Sequence, residues 1–224
     1  GQLLMSVKDS KSKAVLLNEF KPGMNVTATY DGKKFYAYSG GLAVWKGNYL
    51  IVDSTKKISG SINDSGKKLI YDSSLIVEGT INEGVEIEVD GNLYVYEDIK
   101  NASVKVSGDI YVCGGIVSCK KEVSAEKNIF AKYIESSNIS SQSNVIVNES
   151  IINSVVDAVE KIVVNGKNRS LIMGGTVCAG EEISSGVFGS ETYNVTEIIV
   201  GLLGSEKKEQ NTLNEDKVGL NNRL

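Results

Sequence analysis

The stretch LIYDSSLIVEGTINEGVEIEVDGNLYVYEDI, residues 69–99, decides the fold. Its apolar residues Leu69, Leu75, Ile81, Ile87, Leu93 and Ile99 stand six apart. An amphipathic helix repeats every three to four residues and a half-buried strand every two. Neither alone makes a step of six. Three short strands per turn, each opening on an inward apolar residue, do. Taken in threes, the pattern runs on to Ile183 as three columns. The first is Leu69, Ile87, Val104, Val123, Ile139, Val156 and Val177. The second is Leu75, Leu93, Ile110, Ile129, Val145, Ile162 and Ile183. The third is Ile81, Ile99, Ile116, Ile134, Ile151 and Ile172.

Strand alternation agrees with this phase. Two residues beyond the first column stand Val89, Val106, Ala125, Ser141, Ala158 and Ala179. Two beyond the second stand Val77, Val95, Val112, Ala131, Val147 and Val164. The prediction is an all-β chain whose residues 67–201 form a single-stranded parallel β-helix, a solenoid of triangular section. Successive first-column residues differ by 18, 17, 19, 16, 17 and 21 positions. The longest interval contains Asn165–Ser170, and an insertion there must leave the stack as a loop, because the core cannot absorb it.

Residues 1–66 lack the hexad rhythm and hold short alternating runs. Asp31-Gly32 reads as a type I′ hairpin turn and Lys46-Gly47-Asn48 as a second turn. They predict a small N-terminal antiparallel β unit, placed to cover the open end of the solenoid. Trp45 reads as a packing residue. Residues 202–224 read as a polar C-terminal tail.

Polar residues precede the second column: Asn92, Asp109, Asn128, Asn144 and Lys161. They are expected to stack at one corner, with asparagines in the αL conformation and hydrogen-bonded along the stack. The residues just after the second column are Ile76, Tyr94, Tyr111, Phe130, Ile146 and Val163. By phase they point outward, as one apolar stripe. Glu88, Lys105, Ser124, Ser140 and Asp157 form a polar outward column beside it. An apolar stripe of that length marks a surface on which something lies. The stripe is therefore the candidate interaction site.

The chemistry of the chain is mostly a set of exclusions. It contains no histidine, which removes the histidine base of left-handed hexapeptide acyltransferases and the histidine ligands of trimeric γ-type carbonic anhydrases on that fold. Cys113 and Cys119 are not spaced as zinc ligands. Cys113 falls at an outward or corner position with no base near it. Glu181-Glu182 and the pairs Lys56-Lys57, Lys67-Lys68 and Lys120-Lys121 read as solvated turns. The outward columns do not gather three acids as a pectin-cleaving β-helix would. No catalytic residue, metal ligand or cofactor site is expected. A net charge of −4 argues against nucleic acid as a partner. No apolar run is long enough for a membrane span. No secretory signal is visible at the first residues, and three cysteines, an odd number, read as reduced thiols. The expected location is cytoplasmic.

Several stretches, in order, resemble the flagellar assembly protein A (FapA) family of bacterial β-helical proteins. They are residues 35–40 (FYAYSG), 108–116 (GDIYVCGGI), 125–137 (AEKNIFAKYIESS), 172–179 (IMGGTVCA), 187–190 (VFGS) and 196–201 (TEIIVG). The likeness spans residues 33–201. It implies a right-handed helix, to which the uneven coil lengths also lean. It further implies a cytoplasmic, non-enzymatic scaffold that contacts proteins, linked in some members to polar flagellum placement. Family members usually end in a coiled coil, whereas residues 202–224 show no sustained heptads. A second resemblance is to bactofilins, which polymerise end to end. The partner expected is another protein or another copy of the chain, met through a face or an end of the helix. The competing expectation is a carbohydrate-binding or carbohydrate-active β-helix, with its site in a groove along one face.

Overall fold

The computed structural model describes residues 2–6, 21–23, 26–31, 34–37, 42–166, 170–191 and 195–201. Two compact units divide at Lys56/Lys57.

In the second unit the backbone winds as a parallel β-solenoid of about eight turns. Every column read from the sequence is a hydrogen-bonded register. Ile87 pairs with Leu69 and Val104, and the series continues through Val123, Ile139 and Val156 to Val177. Leu93 pairs with Leu75 and Ile110, and that series runs through Ile129, Val145 and Ile162 to Ile183. Ile81 bridges Ile99, and the third column continues through Ile116, Ile134 and Ile151 to Ile172. These side chains fill one continuous core from Ile62 to Ala179. Leu93, Ile99, Ile110, Ile116, Ile129 and Ile134 are wholly buried. Apolar burial along a stack in which each coil touches only its neighbours is what holds the unit together.

The stack begins ahead of the 66/67 division read from the hexads. The Ile58 carbonyl accepts the Glu78 N–H at 3.0 Å, as the Val77 carbonyl accepts that of Tyr96. Ile62 bridges Ile81. At its other end the stack runs past Ile183, within the 67–201 range read from the sequence. Phe188 pairs with Ile172, and Thr196–Val200 pairs with Gly175–Ala179, so Ile198 follows Val177. These last core positions are open: Phe188 is 45% and Ile198 40% exposed.

The corners differ from expectation in one respect. The left-handed conformation lies after the third column, not before the second. Asn101, Ser118, Ser136 and Asn153 have φ of 43°, 55°, 50° and 47°, continued by Gly84 and Gly174 at either end. Each turns the chain sharply onto the next first-column strand. Behind them Ala102, Cys119, Ser137 and Ser154 point inward and are buried. The buried hydroxyls are satisfied: Cys119 N–H donates to Ser137 Oγ at 3.0 Å, and Ser137 Oγ donates to the Glu135 carbonyl at 2.7 Å. Extra length leaves at the corners. The insertion is closed at its base by Ser170 Oγ, which donates to the Val164 carbonyl at 2.7 Å. Within the insertion, residues 167–169 lie outside the described part.

The first unit is built of two small sheets. Gln2–Ser6, Lys34–Ala37 and Val26–Ala28 form one, all antiparallel. Leu42–Lys46 pairs antiparallel with Tyr49–Asp53, to which Lys21–Pro22 adds a parallel edge. Val26, Phe35, Ala37, Leu50 and Val52 make its core. The turn at Gly47-Asn48 has two residues, with Gly47 at φ 58°. The strands on either side of Asp31-Gly32 pair antiparallel, and Thr29 N–H donates to the Lys34 carbonyl at 2.9 Å, while Gly32 itself lies outside the described part. The Trp45 side chain and residues 202–224, on which two expectations rested, lie outside the described part.

Candidate interaction surface

The stripe is a consequence of register. Ile76, Tyr94, Tyr111, Phe130, Ile146 and Val163 pair in sequence across six coils. Each sits between two buried column residues, so each must point out. All six are half-buried, because each leans on its neighbours above and below. The rings of Tyr94 and Tyr111 stack at 4.9 Å and 3°, and those of Tyr111 and Phe130 at 4.7 Å and 1°. Parallel rings one strand apart stabilise the sheet and present their edges outward as a flat row. Burial, followed by the Asp109 carboxylate, pushes the Tyr111 hydroxyl above its ordinary value. The next coil places Ser184 under Val163, and the apolar row ends there.

One border of the stripe is the polar corner. Asp109 N–H donates to Asn92 Oδ1 at 2.9 Å, and Asn128 Nδ2 donates to Asp109 Oδ1 at 2.9 Å. Asn144 Nδ2 donates to Asn128 Oδ1 at 3.0 Å and to Glu160 Oε2 at 2.8 Å. The ladder expected from these residues is thus present from Asn92 to Asn144, without αL geometry, whereas Lys161 lies outside it, 3.2 Å from Glu182. The other border is more mixed: Tyr96 and Cys113 are exposed, and Lys132 lies 3.5 Å from Glu149.

The polar column is in register from Glu88 to Asp157 on the first face. A cleft of roughly 380 Å³ opens beside it, lined by Asp72, Glu88, Asp90, Lys105, Ser107 and Glu126 among others. Acids therefore do gather, contrary to the reading of single columns. They come from an outward column and the adjoining corner together. Glu88 pairs with Lys68 at 2.7 Å, and Asp90 accepts the Ser107 hydroxyl at 2.8 Å. Of the lysine pairs read as solvated turns, three members bridge coils: Lys57 to Glu78, Lys68 to Glu88 and Lys121 to Glu86. They remain substantially exposed, where such pairs contribute little.

Cys119 and Cys178 are buried and Cys113 is exposed, none in a disulfide. Burial pushes the Cys119 thiol up, against hydrogen bonds that lower it, which leaves it a poor nucleophile. Among the described residues no group of histidine, cysteine or acidic side chains is arranged to hold a metal ion. Among them, too, no helix is long and apolar enough to cross a membrane.

A family model described as the Flagellar Assembly Protein A beta solenoid domain matches residues 50–224. No curated protein and no solved structure matches the chain.

Proposed function

The chain belongs to the FapA family, and from that premise we propose that it is a non-enzymatic bacterial scaffold whose solenoid offers the stripe to a protein partner. The observation that carries this reading is the unbroken apolar row from Ile76 to Val163, bordered by polar residues. A stack of coils with a continuous core is stiff, so six side chains on it hold one spacing without being ordered by the partner. The proposed setting is the cytoplasm, and the proposed role is in flagellar assembly or placement. The stripe supplies apolar contact and shape, and its only ionisable groups are the Tyr94 and Tyr111 hydroxyls, whose rings are stacked on one another, which supports a binding role over a catalytic one.

The test is affinity capture from the source bacterium. The intact chain is compared with a Tyr94→Ser, Tyr111→Ser, Phe130→Ser variant whose fold is checked by circular dichroism. A protein retained by the first and lost from the second supports the reading. Identical retained sets refute it.

A second reading, bactofilin-like polymerisation, draws on the open core positions Phe188 and Ile198 in the last described coil. Open-ended growth in sedimentation as concentration rises would favour it. A carbohydrate-binding reading would use the acidic cleft on the first face, and glycan-array binding abolished by Glu126→Gln would favour that one.

A further inference from the structure

We propose that the occupant of the stripe is the stripe of a second copy of this chain, with the two solenoids side by side, parallel, about a two-fold axis along the coil stack. This rests on the reading of the stripe as a contact surface and names its partner.

Spacing is the first argument. The stripe repeats at 4.7–4.9 Å. A helix repeats at about 5.4 Å per turn and drifts by about 3 Å over five intervals. Another stack of β-coils repeats at the same distance and stays in step along the whole row. This chain carries such a stack with an apolar row on it.

Charge is the second. About that axis, the column on one border of the stripe meets the column on the other border at the same coil. Asp109 then faces Cys113, Asn128 faces Lys132 and Lys161 faces Asn165, and no coil sets like charge against like. Asp109 lies one coil from the partner's Lys132, and the symmetry makes this attraction twice.

Area is the third, and it sets the strength. Six coils at about 4.8 Å and a face about 15 Å wide give roughly 400 Å² per copy. The total of about 800 Å² is below the ~1,200–2,000 Å² of stable complexes. The dimer is therefore weak and forms only as concentration rises.

Cys113 is exposed and stands two residues beyond Tyr111, at the edge of the contact. It reports occupancy, and buried Cys119 and Cys178 serve as controls. The experiment uses the whole chain from low micromolar to near-millimolar concentration. Sedimentation equilibrium reads mass, and iodoacetamide alkylation followed by mass spectrometry reads Cys113. The expected result is a mass rising toward twice that of the chain, with alkylation of Cys113 slowing in parallel. Tyr111→Lys, at an outward position, should raise the dissociation constant at least about tenfold by placing a charge in the contact. If that variant does not fold, Tyr94→Lys replaces it. Lys132→Glu should weaken the parallel dimer, because it then opposes the partner's Asp109.

A monomer at every concentration overturns the proposal, as does a dimer indifferent to Tyr111→Lys. Open-ended growth overturns it also. A dimer lost with Tyr111→Lys but indifferent to Lys132→Glu overturns the parallel arrangement. A monomer whose capture of another protein still depends on the stripe rejects the second copy alone. A monomer whose captures ignore the stripe rejects the contact-surface reading with it.

Discussion

Ile129→Ala tests the core most directly. Ile129 is wholly buried in the second column, between Ile110 and Val145. The change removes three carbons, worth about 0.8 kcal/mol each by transfer, or about 2.4 kcal/mol. The coils above and below are tied by parallel ladders and cannot fall into the space. A cavity penalty is added, and the expected loss is about 3–4 kcal/mol, inside the range for such truncations. For a unit of this size that lowers the melting temperature by about 10 °C. Two controls give the number its meaning. Ser124→Ala changes an outward residue and should stay within about 0.5 kcal/mol. Ile198→Ala lies in the same kind of column but is 40% exposed in the last described coil, and should cost less than about 1.5 kcal/mol. Urea denaturation read by far-ultraviolet circular dichroism measures each. Hydrogen exchange at residues 123–135 shows whether the loss is local, because stacked repeats need not unfold in one step. Equal losses for Ile129→Ala and Ser124→Ala would refute the assignment of inside and outside on which every surface claim depends.

Two further outcomes follow from single sites. Burial works to raise the Asp98 carboxyl, but the Gly115 N–H at 2.8 Å and Lys100 at 3.1 Å outweigh it and hold it below its ordinary value. Its folded value being the lower one, its stabilisation is present above about pH 4 and lost as pH falls through the folded value. Asp98→Asn should thus be less stable than the native chain at neutral pH, with the gap closing toward pH 2 in urea titrations. A constant gap would count against the Gly115 and Lys100 contacts. For the thiols, dilute native protein should titrate one cysteine of three with Ellman's reagent, namely Cys113, and all three in denaturant. Fast reaction at Cys119 would mean that the corner behind Ser118 is open.

How much was legible follows from where the side chains are apolar. The columns were readable because a buried position in a thin core tolerates little but Leu, Ile and Val, and a strict period then writes itself into the sequence. The stripe was readable by the same phase, one residue on. The first coil was not, because Lys56 and Lys57 stand in the strand that carries Ile58, and the column loses its apolar mark there. The acidic cleft was missed for another reason. Its carboxylates belong to a strand column and a corner column, and columns taken one at a time do not show which of them border the same hollow.

The left-handed corner is the most instructive miss. Asn92, Asn128 and Asn144 form the row of asparagines that the eye finds first, and asparagine is the commonest non-glycine in that conformation. Yet their amides serve as a ladder between coils, with ordinary backbone angles. The turn itself falls to Asn101, Ser118, Ser136 and Asn153, two of them serines. Serine has no special claim to a positive φ, so no local preference marks the site. What fixes it is the fold. At four of these corners the next residue swings a small side chain inward, namely Ala102, Cys119, Ser137 and Ser154, and behind Gly84 the buried Val85 takes that place. The signal that could have found the corner is therefore the run of small residues one position later, each followed within about four residues by a first-column Val or Ile. Their burial in polar form is possible because each buried serine hydroxyl donates to a carbonyl two residues before it, Ser137 to Glu135 and Ser154 to Ile152.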